Sequence, residues 1–172
     1  AGTTGTISLD DTTVALSGDA TDLAVALGGT FAGGKGHTGT VTVTSGTDYT
    51  VTELKTINAG TTGTITFSDP AVTLSGDATD LAVALAGTTN HNATVTVTNA
   101  SAYTLTELKV INAGTAGSIS FQDTTVALSG DATDLAVALA GTTNHNGAVT
   151  VTSGSAYTLS LIHISEPTRP VV

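Results

Sequence analysis

Alternating polar and apolar positions predict short β-strands along this chain. Residues 64–67 and 94–98 alternate in this way and are rich in β-branched side chains, which are enriched in strands. A further short strand is predicted at residues 72–75, after a turn at residues 68–70. Because successive side chains of a strand point to opposite faces, valine on the inner face leaves threonine on the outer face.

Short helices are predicted between these strands. One follows Asp77 or Thr79, either of which can cap its N-terminus, and it ends at Gly87. The other begins with a capping box formed by Thr104 and Glu107. Helices of about two turns are not stable alone in water, so their apolar side chains must pack on a sheet. The residues predicted to pack in this way are Leu23, Leu27, Leu54, Ile57, Leu81, Leu85, Leu108, Ile111, Leu135 and Leu139.

The whole pattern recurs with a period of 54 residues. Two residue types mark this period: Tyr49, Tyr103 and Tyr157, and His37, His91 and His145. The first copy is longer by four residues, which lie in the loop at residues 28–36. We therefore divide the chain into repeats at residues 1–58, 59–112 and 113–160. A weaker similarity within each repeat indicates two half-repeats of 24 to 30 residues, a length found in leucine-rich-repeat-like proteins.

The order of these elements predicts an α/β fold. Helices separate the strands, so successive strands pair in parallel rather than as hairpins. The expected architecture is a tandem-repeat β/α solenoid, with a parallel sheet on one side and short helices on the other. The alternative is an all-β parallel β-helix, in which the Leu-Ala-Val-Ala-Leu segments would be strands. Their alanine content disfavours that alternative.

Composition narrows the functional classes. The chain of 172 residues has 3% aromatic residues and a formal net charge of −10. An acidic surface repels nucleic acid and anionic membranes, so we expect neither as a partner. No run approaches the ~20 apolar residues of a membrane span.

The absence of cysteine excludes disulfides and a cysteine nucleophile. Motifs typical of enzymes are missing, and a copied motif is unlike a unique active site, so we predict that the protein is not an enzyme.

The C-terminal segment does not follow the repeat. The pattern breaks off after Ser160, within a predicted helix, and residues 161–172 are unrelated to it. Residues 160–170 resemble the translation of a sequencing-library adapter. We therefore interpret residues 161–172 as a non-native tail and leave them out of the fold prediction. We also expect the natural protein either to be much longer or to stack end to end, because neither end carries a capping repeat.

Two motifs resemble a known family. Residues 74–81 (LSGDATDL) and 103–114 (YTLTELKVINAG) are similar to repeats of very large secreted bacterial "beta strand repeat" proteins, which are common in cyanobacteria. The resemblance covers residues 1 to about 160. It implies export, an extracellular or cell-surface location, and an adhesive or structural role.

Candidate metal ligands also have simpler explanations. Paired aspartates recur once per repeat and are weak candidates for a calcium site: Asp19, Asp22, Asp77, Asp80, Asp131 and Asp134. Their position at a helix start favours capping instead, so no cofactor is predicted. The three histidines lie one half-repeat too far apart to share a zinc ion, and the Asn-His-Asn context of His91 predicts a polar turn. Asn58 and Asn112 are expected to bond to neighbouring turns rather than to a ligand.

Outward-facing threonines are the remaining candidate surface. They form ranks on the predicted strands: Thr40, Thr42, Thr44, Thr94, Thr96, Thr98, Thr150 and Thr152. Such Thr-x-Thr ranks resemble the ice-binding face of solenoid antifreeze proteins, although threonine is also simply the favoured polar residue of exposed strands. They could carry O-linked glycans, and Asn92 and Asn99 begin N-glycosylation sequons.

The sequence thus predicts a structural repeat segment of an extracellular filament, sheath or adhesin. Its expected partners are other copies of itself or adjoining repeats, and cell-surface or matrix glycans. Self-assembly by end-to-end stacking is the expected mechanism. The alternative is an ice-binding solenoid.

Overall fold

The structure is a computed structural model that describes residues 5–32, 36–44, 49–98 and 103–152. Its strands are three residues long: Leu16–Gly18 (β1), Val41–Val43 (β2), Ile65–Phe67 (β3), Leu74–Gly76 (β4), Val95–Val97 (β5), Ile119–Phe121 (β6), Leu128–Gly130 (β7) and Val149–Val151 (β8). The helices are Ala20–Leu27 (α1), Val51–Gly60 (α2), Ala78–Leu85 (α3), Leu105–Gly114 (α4) and Ala132–Leu139 (α5). This is the α/β class predicted from the sequence. The all-β alternative is wrong, because the Leu-Ala-Val-Ala-Leu segments lie in α1, α3 and α5.

The elements group into six half-repeats, which we name A to F in chain order. Half-repeats B, D and F each contribute one strand, namely β2, β5 and β8, and in B and D a helix follows, α2 and α4. Half-repeats C and E each contribute two strands before their helix: β3, β4 and α3 in C, and β6, β7 and α5 in E. Half-repeat A has β1 and α1, and its Ile7 lies in an isolated bridge at the position of the first strand. We call B, D and F one-strand half-repeats and A, C and E two-strand half-repeats.

The strands form three short parallel sheets rather than one continuous sheet. The strand orders are β1-β2-β3, β4-β5-β6 and β7-β8. In half-repeat C, β3 pairs back with β2 of B, whereas β4 pairs forward with β5 of D. At each two-strand half-repeat, the strand that pairs with the preceding half-repeat is therefore not the strand that pairs with the following one. The expectation of a single parallel sheet on one side was wrong for this reason. The strand expected at residues 72–75 lies at Leu74–Gly76.

A side-chain amide bridges the step between sheets. On its edge away from β2, strand β3 pairs with the following segment through an isolated bridge between Ile65 and Thr88. Two residues further along each segment, the Phe67 amide N–H donates to Asn90 Oδ1 at 2.9 Å, and Asn90 Nδ2 donates to the Phe67 carbonyl at 2.8 Å. Asn144 makes the same two bonds to Phe121. The asparagine thus takes the place of a strand partner and satisfies backbone groups that the sheet leaves unpaired.

Capping residues and a glycine turn determine where the helices begin and end. Asp77, not Thr79, caps α3 by accepting from the Asp80 amide, and the capping box of Thr104 and Glu107 is present at α4. After α3 the chain turns at Gly87, whose φ of +78° is a conformation that favours glycine. Each helix packs against the next along the chain, from α1 to α5.

The core is a layer of aliphatic side chains between helices and strands. Val41, Val43, Val95 and Val97 are fully buried, as the alternating pattern predicts. Nine of the ten apolar residues expected to pack under the helices are at most 5% exposed: Leu23, Leu27, Leu54, Ile57, Leu81, Leu85, Leu108, Ile111 and Leu135. Leu139 is only partly buried. Its counterpart Leu85 lies beside Gly114 at the end of α4, and the matching segment after Leu139 lies outside the described residues.

Glycine at a point of close backbone approach gives a first prediction. A Cβ on Gly117 would lie 1.9 Å from the Ala93 carbonyl oxygen, and backbone cannot easily move. We expect Gly117→Ala to lower the free energy of unfolding by about 1–3 kcal/mol, the usual cost of overpacking. Gly76→Ala is the matched control, because its Cβ would meet only side-chain atoms at 3.7 Å. Urea denaturation followed by circular dichroism measures both, and equal stability of the two variants would contradict the close approach.

Candidate functional site: the bonds between half-repeats

A buried histidine ties together three successive half-repeats. His91, in D, is 0% exposed. Its Nε2 lies 2.8 Å from the carbonyl oxygen of Val72 in C, and its Nδ1 lies 2.8 Å from Thr115 Oγ1 in E. His37 in B repeats the arrangement with Val14 at 2.8 Å and Thr61 at 3.0 Å. The prediction of a polar turn at this histidine was wrong, because the ring is enclosed by the half-repeats before and after it.

The bonding partners define the form of the imidazole. A carbonyl oxygen can only accept, so Nε2 of His91 carries the hydrogen and donates to Val72. In the neutral ring, which burial favours, Nδ1 accepts from the Thr115 hydroxyl. That hydroxyl oxygen also accepts from the Gly117 amide at 2.9 Å. Each ring nitrogen is therefore satisfied by a different neighbouring half-repeat.

Burial sets the protonation behaviour of this ring. Desolvation lowers the pKa of His91 below its ordinary value, and the bond to the Val72 carbonyl opposes part of that shift. The folded state therefore prefers the neutral ring.

Aromatic side chains run beside the histidines. Tyr49 of B stacks on Phe67 of C with ring centroids 4.6 Å apart, and His91 of D meets the same Phe67 edge-on at 6.0 Å. Tyr103 and Phe121 stack in the same way at 4.5 Å. Both tyrosine hydroxyls donate to the next half-repeat, at the carbonyls of Asp69 and Asp123. Burial raises the pKa of both phenols to about 12, so they remain donors at any physiological pH.

The helices are joined by two alternating kinds of polar contact. From a two-strand to a one-strand half-repeat, a threonine hydroxyl donates to a glutamate: Thr21 to Glu53 at 2.7 Å, and Thr79 to Glu107 at 2.6 Å. From a one-strand to a two-strand half-repeat, lysine pairs with aspartate: Lys55 with Asp80, and Lys109 with Asp134. Burial alone would raise the pKa of Glu107, but hydrogen bonds from Thr79 and Thr104 outweigh it and lower the pKa.

Five of the six candidate calcium ligands cap a helix or pair with lysine. Asp19, Asp77 and Asp131 cap their helices. Asp80 and Asp134 pair with lysine, and Asp22 is exposed on α1. Within the described residues, no group of three or more His, Asp or Glu side chains is placed to hold a metal ion. Asn58 donates to the Val83 carbonyl of the next helix at 2.8 Å, as expected of a residue that bonds to a neighbouring turn.

The threonine ranks are short and bonded within themselves. Thr42 and Thr66 hydroxyls lie 3.1 Å apart, as do those of Thr96 and Ser120. Thr40, Thr44, Thr94, Thr150 and Thr152 are exposed, and Thr98 is half-buried. Each rank stops where its sheet of two or three strands stops, so the hydroxyls do not form one uninterrupted array. Asn92 is exposed, whereas the sequon at Asn99 lies outside the described residues.

A shallow groove of about 310 Å³ lies between the end of α3 and the side of α4. Its lining includes Leu85, Ala86, Val110 and Ala113, with Lys109 as the ionisable member. It brings together no pair of ionisable side chains for acid–base chemistry. Among the described residues, none of the helices has the length and hydropathy to cross a membrane. No protein-family model, no curated protein and no solved structure matches this chain.

Titration of the buried histidine gives a second prediction. The pKa of His91 is lowered on folding from an ordinary value of 6.5, so the unfolded chain takes up the proton first as the pH falls. We expect the free energy of unfolding to hold its full His91 contribution well above pH 6.5 and to lose it progressively as the pH falls below that value. Urea midpoints across this range measure the loss.

The control for this titration is His91→Gln. Glutamine does not titrate, so the decline in urea midpoint below pH 6.5 should become shallower in this variant. Carboxylates titrate mainly at lower pH and affect both proteins alike. An equal decline in both proteins would contradict a destabilising protonation of His91.

Proposed function

We propose that this chain is a structural repeat segment of an extracellular filament, sheath or adhesin. The single observation that carries the proposal is the histidine contact, in which one buried ring bonds to the half-repeat before it and to the one after it. A half-repeat bonded in this way is completed by its neighbours rather than by a ligand.

Repetition of the contacts supports a mechanical role. The histidine bonds, the tyrosine–phenylalanine stacks and the lysine–aspartate pairs each recur at the 54-residue period. An individual hydrogen bond contributes only about 0.5–1.5 kcal/mol, and an exposed ion pair about 0–1 kcal/mol. A load along the stack is therefore shared by many modest and equivalent bonds, and adding repeats extends the structure without changing it.

Location and partners belong to the same proposal. The similarity to secreted "beta strand repeat" proteins supports an extracellular or cell-surface position, with other copies or adjoining repeats as the principal partners. The exposed hydroxyls of Thr40 and Thr44 are suited to contact matrix glycans, because hydroxyl groups donate and accept hydrogen bonds.

Ice binding is less well supported by the geometry. An ice-binding rank needs hydroxyls that are free and regularly spaced across a long flat face. Here the central hydroxyls of Thr42 and Thr96 bond to the neighbouring strand, and the ranks are offset wherever the sheets are interrupted.

Electron microscopy tests the filament directly. For the full chain, and for a version that ends at residue 160, we expect fibres with an axial repeat of roughly 10 Å, twice the strand spacing.

Val149→Lys is the matched control: Val149 is 36% exposed, whereas its counterparts Val41 and Val95 are fully buried under the next half-repeat. A charge there should prevent stacking and leave the interior intact. Monodisperse particles of the unmodified chain would contradict self-assembly and leave the protein as a spacer within an adhesin.

A thermal-hysteresis measurement tests the alternative. We expect no depression of the freezing point and no ice shaping at millimolar protein, because the threonine ranks are short and bonded to one another. Faceted ice crystals would contradict this expectation. Thr94→Val would then identify whether the exposed threonine ranks are responsible, since its side chain lies on the outer face.

A further inference from the structure

The same helix sequence occurs in three settings. Helices α1, α3 and α5 all read ATDLAVAL. Ala84 of α3 and Ala138 of α5 are fully buried, but the equivalent Ala26 of α1 is exposed. Val25 of α1 is 76% exposed, against 41% for Val83 and 40% for Val137. Because the sequence is identical, the difference comes from what lies against each helix.

A one-strand half-repeat covers this face in α3 and α5. Helix α2 packs on α3, where Lys55 pairs with Asp80 and Asn58 donates to the Val83 carbonyl. Helix α4 packs on α5, where Lys109 pairs with Asp134. On α1 the matching acid is Asp22, which is exposed. The outer face of α1 therefore presents an apolar patch and a carboxylate that match the known surface of α2.

Residues 7–9 of half-repeat A, which correspond to strand β3 of half-repeat C, lie on the same outer face as the exposed side of α1. In half-repeat C, β3 receives β2: the Val41 amide donates to the Thr64 carbonyl, and the Ser68 amide donates to Val43. The positions equivalent to Ile65 and Phe67 are Ile7 and Leu9. Ile65 and Phe67 are 0% and 3% exposed, whereas Leu9 is 37% exposed and Ile7 is only partly buried.

We propose that the outer face of half-repeat A is a docking surface for a one-strand half-repeat from an adjoining repeat of the same array. The incoming strand pairs with residues 7–9, and the incoming helix lies on α1. Its lysine pairs with Asp22, and its asparagine donates to the Val25 carbonyl. This inference rests on the proposed function insofar as both require half-repeats to stack, and it adds which surface receives the partner and which residues recognise it.

A fusion protein with one additional half-repeat tests the docking. Residues 1–7 and residues 59–65 are identical, AGTTGTI. Fusing a copy of residues 37–58 before Ala1 of the full chain therefore reproduces the junction that joins half-repeats B and C. The chain contains no cysteine, so Val25→Cys introduces a unique thiol on the proposed surface. Val83→Cys is the matched control, because that position already has its neighbour.

Maleimide labelling of the native proteins gives the readout. We expect the fusion to slow labelling at Val25→Cys severalfold, toward the rate at Val83→Cys, and to leave the Val83→Cys rate unchanged. Within the fused copy, replacing the lysine that corresponds to Lys55 by glutamate places two carboxylates together. That change should raise the labelling rate at Val25→Cys part of the way back toward its value without the fusion.

Two results would overturn the proposal. The first is an unchanged Val25→Cys rate in the fusion; because so short a helix folds only when it is packed, a disordered extra segment has also failed to dock. The second is an equal labelling rate for Val25→Cys and Val83→Cys in the unfused chain at low protein concentration, which would show that the surface is already covered. Protection in the fusion without fibres in the microscope would uphold the docking surface and contradict the filament, so the two proposals fail separately.

Discussion

The structure depends on satisfying a buried imidazole from both sides. Burying a polar group without a hydrogen bond costs roughly 1–3 kcal/mol, and each histidine has two ring nitrogens to satisfy. For His91 the partners are Val72 and Thr115, which belong to the half-repeats on either side. A half-repeat cannot meet this requirement by itself, and neither can a pair. Three must be in place together, which couples each layer to its neighbours more tightly than apolar burial alone would.

The alternation of one-strand and two-strand half-repeats also favours one order of stacking, in which each kind is followed by the other. A two-strand half-repeat presents aspartate on its preceding side and threonine on its following side, and these meet lysine and glutamate respectively. If two one-strand half-repeats were stacked, Lys55 would lose Asp80, and Glu107 would lose the hydroxyl of Thr79. The exposed ion pairs contribute little to stability. Their effect is to disfavour the wrong neighbour, which is how polar contacts commonly provide specificity.

Periodicity in the sequence was enough to predict the elements but not their neighbours. The strands at Ile65–Phe67 and Val95–Val97, the Asp77 cap and the box at Thr104 all follow from local patterns, because their causes are local. The division into three sheets depends on which neighbouring half-repeat each strand pairs with, and the local sequence pattern does not determine that pairing. A hint was present: two strands precede α3, but only one precedes α4.

His91 was misjudged for a related reason. Its neighbours Asn90 and Asn92 are polar, so a prediction limited to adjacent residues gives an exposed turn. In the structure Asn90 faces the backbone of Phe67 and Asn92 donates its amide to Pro70, while the ring between them is covered by other half-repeats. The useful signal was the combination of one histidine and one tyrosine per repeat, which pointed to a shared contact across the period rather than to a local turn.

The longer loop of the first repeat shows which feature the fold maintains. Between half-repeats C and D, the Ile65 amide donates to Gly87 and its carbonyl accepts from Thr89. Between A and B the loop is longer by four residues, yet the Ile7 amide still donates to Thr30 and its carbonyl still accepts from Ala32. Phe31 occupies the bridging position that Thr88 holds in the later copy. Side chains and loop length differ, but the backbone bonds that set one layer upon the next are the same. A fold that maintains its stacking contact through such a change is organised around continuation of the stack.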